Sequence, residues 1–137
     1  MIDALFHVRW LGVVAAFVPY FILGGLWFTV FFPKPYWVSL GKSAPREKPA
    51  PIFIIGPAIC SLIVTITTAV LMRALHVDSY SSGLQLGALV GIGYLVANTV
   101  NIAINPNIPR PLLYAVVSGG FHLVGILIVT TVLVAMR

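Results

Sequence analysis

Apolar positions run through this chain in four long stretches, separated by short polar or proline-rich joins. The charged residues bound uncharged windows at 10–33, 49–72, 79–109 and 111–136. Each exceeds the roughly 20 residues that an α-helix needs to cross the hydrocarbon core of a bilayer. A membrane β-barrel needs strands of about ten residues with alternating polarity, and these windows do not alternate. The pattern predicts helices over about 10–32, 52–74, 84–105 and 111–136, paired as two antiparallel hairpins within a single integral membrane domain, 1–137.

The third stretch carries the strongest internal pattern. Gly83, Gly87 and Gly91 recur every fourth residue, and Tyr94, Asn98, Asn101 and Asn105 continue the line at steps of four, three and four. On a regular helix these residues share one face. Acyl chains solvate neither amides nor glycine-exposed backbone, so the expectation is that this face is turned inward and that the third helix is central. The first stretch places Ala16, Tyr20, Gly24 and Trp27 on one side, and the fourth places Ser118, His122 and Gly125 together, with Gly119 and Gly120 beside them. Small residues at these positions let neighbouring helices approach closely.

The joins constrain the pairing. The last join, NPNIPRP, holds three prolines and forces the third and fourth helices into a tight antiparallel hairpin. With equal rise per residue, positions in that hairpin whose numbers sum to about 215 stand at equal depth. Tyr94 is then level with His122, and Asn98 and Asn101 lie opposite Val117 and Tyr114. The first join, FPKPYWVSLGKSAPREKPAP, reads as a stiff extended linker because of its five prolines, with a short interfacial piece around Tyr36 to Leu40 as the alternative. In the second, Asp78 or Ser79 is positioned to cap a short turn before the third helix. Thr65, Thr67 and Thr68 are expected to bond back to their own helix.

Composition agrees with the pattern. Of 137 residues, 60% are hydrophobic and 8% charged, and the mean hydropathy is +1.06. Soluble domains carry about a quarter charged residues, so this is an integral membrane protein. The net charge of +5 is spread over helix ends, where it suits headgroups and topology, and this argues against nucleic acid as a partner. Lys34, Lys42, Arg46, Lys48 and Arg110 outnumber Arg9, Arg73 and Arg137 on the opposite side, a small excess favouring termini outside. The expected location is a bacterial inner membrane, multi-pass. Cys60 has no partner for an intramolecular disulfide and reads as a small packing residue. The first apolar run lacks a small-residue cleavage site and reads as a retained helix.

Candidate chemistry is sparse. Asp3, Glu47 and Asp78 lie outside the spans, and no catalytic set of paired carboxylates, Ser-His-Asp or HExxH type occurs. His122 alone is an ionisable imidazole well inside a span, with roles open between a hydrogen bond to Tyr94, a proton relay and a metal or porphyrin ligand. No cofactor is required, and one histidine specifies no metal site. His7 and His76 fall on one membrane side. Tyr20, Trp27, Tyr94, Asn98, Asn101 and His122 form the candidate polar core.

Leu23-Gly24-Gly25-Leu26-Trp27-Phe28, followed by Phe32, Lys34, Trp37 and Gly41, resembles the start of the domain-of-unknown-function 1761 family. The asparagine-bearing third helix and Gly120-Phe121-His122-Leu123 resemble that family's closing pattern. Phe28 and Phe121 stand where the family carries tyrosine. The resemblance implies a compact four-helix membrane protein and no particular activity. The residues themselves favour a non-catalytic scaffold or accessory subunit, a homo-oligomer or part of a larger complex, working through helix packing. The alternative is a protein that binds or transports a small, weakly polar or lipid-like molecule in a cavity between the third and fourth helices.

Overall fold

The computed structural model describes residues 2–43 and 49–137. Pro45, Arg46, Glu47 and Lys48 lie outside the described residues. A short 3-10 helix, Ile2–His7, precedes α1, Trp10–Phe31. There follow α2, Pro33–Ser39, and then α3, Ile52–Ala74; α4, Tyr80–Ala103; and α5, Pro111–Ala135. The four long helices are each apolar enough to span a bilayer, so the fold is an all-α, four-span membrane protein.

Two elements depart from the sequence expectation. The start of the proline-rich join is helical, because Pro33 and Pro35 both fall in the first turn of α2, where a missing N–H leaves no bond unmade. Helix α4 begins at Tyr80, four residues early. Ser79 caps it by accepting from Ser82 N–H at 3.1 Å, while the Ser82 hydroxyl receives the Ser79 N–H at 3.2 Å.

The central helix is α5, not the third span. Of its apolar window 44% is buried, against 17–22% for the others. Helix α1 packs on one side of α5 and α4 on another, α3 leans mainly on α1, and α2 closes over one end of α5. Helix α4 therefore sits at the edge, supported almost entirely by α5.

The α4–α5 seam has the expected depth register. A Cβ placed on Gly83 would come within 2.9 Å of Val134, on Gly87 within 2.8 Å of Thr130, and on Gly91 within 2.8 Å of Ile126 and 2.9 Å of Leu123. Farther along, Val96 reaches Gly119. Every pair falls within two of the expected sum. Helix–helix association in lipid rests on such close packing, and three notches in sequence hold the first half of α4 in a single rotational phase.

After Gly91 that phase changes. Residues Gly91–Val96 form a π-helical turn, which holds about one residue more than an α-turn and rotates everything downstream by about 100°. The buried line accordingly runs Gly83, Gly87, Gly91, Thr99, Ala103. A second π-helical stretch, Trp27–Phe31, ends α1.

Candidate functional site

The rotated half of α4 corrects the expected polar core. Tyr94 is 73% exposed, and Asn98 and Asn101 are exposed as well. They do not meet Tyr20, Trp27 or His122. Tyr94 shares its depth with His122 but faces away from it. The three residues form instead an outward, bilayer-facing patch of their own, and their side chains find no hydrogen-bond partner among the described residues. Asn98 lies about 8 Å, and Tyr94 about 14 Å, from the Ala103 end of the span at 1.5 Å per residue. Both lie inside the apolar span Tyr80–Ala103.

The same outward face is unusually flat. A Cβ on Gly93 would meet nothing within 4 Å, and Ala97, four residues on, is exposed. Small residues at this spacing are what a second helix needs to approach closely. Asn105, at the foot of the helix, accepts from Asn107 N–H at 2.8 Å and turns the chain into the join. Cys60 is exposed on the outer surface of α3, so it does not pack in the interior.

On the inner side, Tyr20, Trp27 and His122 do converge, between α1 and α5. The Tyr20 hydroxyl stands 3.3 Å from His122 Nδ1, a hydrogen bond whose direction follows the imidazole tautomer. His122 thus ties α5 to α1, not to Tyr94. Trp27 donates its Nε1–H to the Val117 carbonyl at 2.9 Å. The space between is filled by Phe121, whose ring stacks on Tyr20 at 5.4 Å and meets Phe28 edge-on at 5.3 Å. Gly24 and Gly120 make room for Phe121 and Trp27 respectively, and Gly125 receives the Tyr20 ring.

From Phe28 the aromatic array continues to Tyr36 at 4.7 Å and on to Tyr114 at 6.1 Å. Burial raises the Tyr36 phenol above its ordinary value, and the neighbouring Tyr114 adds to the shift, so it stays protonated. Ser118 is buried with no partner for its hydroxyl among the described residues. This inner cluster is interdigitated aromatic packing rather than a cavity. Replacing Tyr20 by Phe, which removes only the hydroxyl, is expected to lower stability in detergent by about 1 kcal/mol. Thermal unfolding followed by circular dichroism checks it.

A separate concavity was not foreseen. It lies at the end of the bundle where the 3-10 helix, the start of α1, the end of α3 and the end of α5 meet, and its volume is about 310 Å³. His7 and His76 both line it. Among the described residues, no three His, Cys, Asp or Glu side chains are grouped closely enough to hold a metal ion. The sequence puts Arg9, Arg73 and Arg137 on one membrane side as helix-end cations, and the fold brings all three to this concavity.

The chain belongs to the family described as a protein of unknown function, DUF1761, whose match covers residues 11–134. No curated protein and no solved structure matches it. The matched region takes in all four spans but for Trp10 and Ala135, and both the inner aromatic cluster and the outward patch on α4.

Proposed function

We propose that this protein is a non-catalytic membrane scaffold that associates laterally with a second copy of itself through the outward face of α4. The observation that carries the reading is the exposed, unpartnered set Tyr94, Asn98 and Asn101 beside the small residues Gly93 and Ala97. Polar side chains within hydrocarbon face a protein interior or a partner, and here no interior receives them. An amide is both donor and acceptor, so Asn98 satisfies its own counterpart across a two-fold axis. A helix of the same sequence is therefore the simplest complement to this patch.

The reading is tested by disulfide crosslinking in native membranes, with Cys60→Ala as the background. Ala97→Cys on the outward face of α4 is expected to yield a covalent dimer, and Leu11→Cys on the outer face of α1 is not. Adding Asn98→Leu should weaken dimerisation about fivefold, in line with roughly 1 kcal/mol for an interhelical amide bond in lipid. Equal crosslinking at both positions, or a strictly monomeric protein, would overturn it.

A further inference from the structure

The concavity at the termini end combines two kinds of surface. Its lining includes three exposed arginines from three separate stretches: Arg9 ahead of α1, Arg73 in the last turn of α3 and Arg137 beyond α5. Its floor is apolar, with Gly12, Met72 and Leu133 among its residues. Against the three arginines the lining sets one acidic side chain, Asp78. Among the described residues none of these three arginines has a carboxylate within ion-pair distance; the ion pair there joins His7 and Asp3 at 3.9 Å. The wall also includes His76, held at a φ of +53°, a left-handed conformation that costs a non-glycine residue about 1–2 kcal/mol. The fold thus holds an open, cationic mouth over a greasy base.

From this juxtaposition we infer that the concavity is a binding site for the phosphate headgroup of an anionic phospholipid. Guanidinium groups recognise phosphate oxygens through paired, charge-assisted hydrogen bonds. Basic pockets between transmembrane helices at the membrane surface are suited to anionic headgroups. The floor decides between a lipid and a free anion. Gly12, Met72 and Leu133 lie in the terminal turns of the spans, so a phosphate held at the rim places its attached chain directly on them. A volume of about 310 Å³ accommodates roughly ten water-sized groups at about 30 Å³ each, which is a headgroup and its first methylenes but not whole acyl chains. The tails lie in the bilayer, and the site is independent of the α4 face.

Native mass spectrometry of the purified full chain tests the inference, with dioleoyl phosphatidylglycerol and dioleoyl phosphatidylcholine supplied in equal amounts. The expected result is one phosphatidylglycerol retained per chain, at least about tenfold in preference to phosphatidylcholine. Arg73→Gln should reduce retention about fivefold, and Arg9→Gln with Arg73→Gln correspondingly more. These side chains are exposed, so the variants fold, and circular dichroism verifies it. Lys34→Gln with Arg110→Gln, at the opposite end, should change nothing; an equal loss there means diffuse headgroup attraction and overturns the site. Met72→Trp, which fills the floor, should lower lipid retention. If it does not, and millimolar inorganic phosphate displaces the lipid completely, the occupant is a free anion and the lipid assignment fails.

Discussion

Gly125→Val is expected to destabilise the bundle by about 3–4 kcal/mol, combining the upper end of overpacking costs with the loss of an interhelical hydrogen bond. A Cβ on Gly125 runs into the ring of Tyr20, and Tyr20 is 1% exposed. Its ring cannot swing aside, because it stacks on Phe121, which is itself held against Phe28 and Trp27. The bond from Tyr20 to His122 is lost in the same movement. Gly25→Val is the control, since a Cβ there meets nothing within 4 Å; it should leave stability within about 0.5 kcal/mol. Titration with a denaturing detergent, followed by circular dichroism, measures both. The cause is isolated by a cycle with Tyr20→Ala, in which the valine should cost far less once the ring is gone. A Gly125→Val protein as stable as the parent would mean that α1 and α5 are not locked by this ring and notch.

The number of spans and the depth register of the last hairpin were legible because they depend only on lengths and rise per residue. The three notches of Gly83, Gly87 and Gly91 were legible for a similar reason: step-of-four spacing survives within any single stretch of regular helix. What failed was the extrapolation of that stripe past Gly91. The reading assumed 100° per residue through to Asn105, and the π-helical turn breaks that assumption at the one place where the stripe changes from glycine to polar residues. An alternative line was present in the sequence, Gly91, Leu95, Thr99 and Ala103, also at steps of four. Choosing between two lines requires knowing the helical pitch, which composition does not encode.

The inner cluster was partly legible. Tyr20, Gly24 and Trp27 were identified as one face of the first helix, and that face does meet Gly120, Phe121 and Gly125. The exchange of partner, Tyr20 for Tyr94 on His122, follows from the same rotation of α4 together with the central place of α5. That the three arginines share a membrane side was legible from the number of spans, but not that they share one concavity. Arg9, Arg73 and Arg137 are each 64 residues from the next, and each has a sufficient local explanation at a helix end.

The phase argument itself predicts the second large effect: inserting one alanine between Gly91 and Ile92 should abolish dimerisation through α4. The π-helical turn already takes up one residue more than an α-turn, and a further residue rotates the downstream half by about 100°. The upstream half cannot rotate instead, because Gly83, Gly87 and Gly91 are seated against Val134, Thr130 and Ile126. Asn98 therefore swings from the bilayer face toward α5, while Thr99 and Ala103 swing out. Two readouts follow. Crosslinking at Ala97→Cys should fall at least about tenfold, beyond the fivefold effect of Asn98→Leu, because the small residues leave the contact along with the amide. Stability should also fall, by about 1–3 kcal/mol, as an amide is pressed against the apolar side of α5 without an acceptor. Deleting Ile92 is the phase-neutral control. With the extra residue gone the turn closes as an α-turn, Thr99 stands seven residues after Gly91, and residues seven apart share a helix face. The chain still spans, since 23 residues remain in a helix that needs about 20, and Ile92 is 58% exposed, so dimerisation should persist. If the insertion protein dimerises like the parent, or the deletion protein does not dimerise, the phase set by the turn does not direct the outward face, and the link between the π-helical turn and self-association is lost.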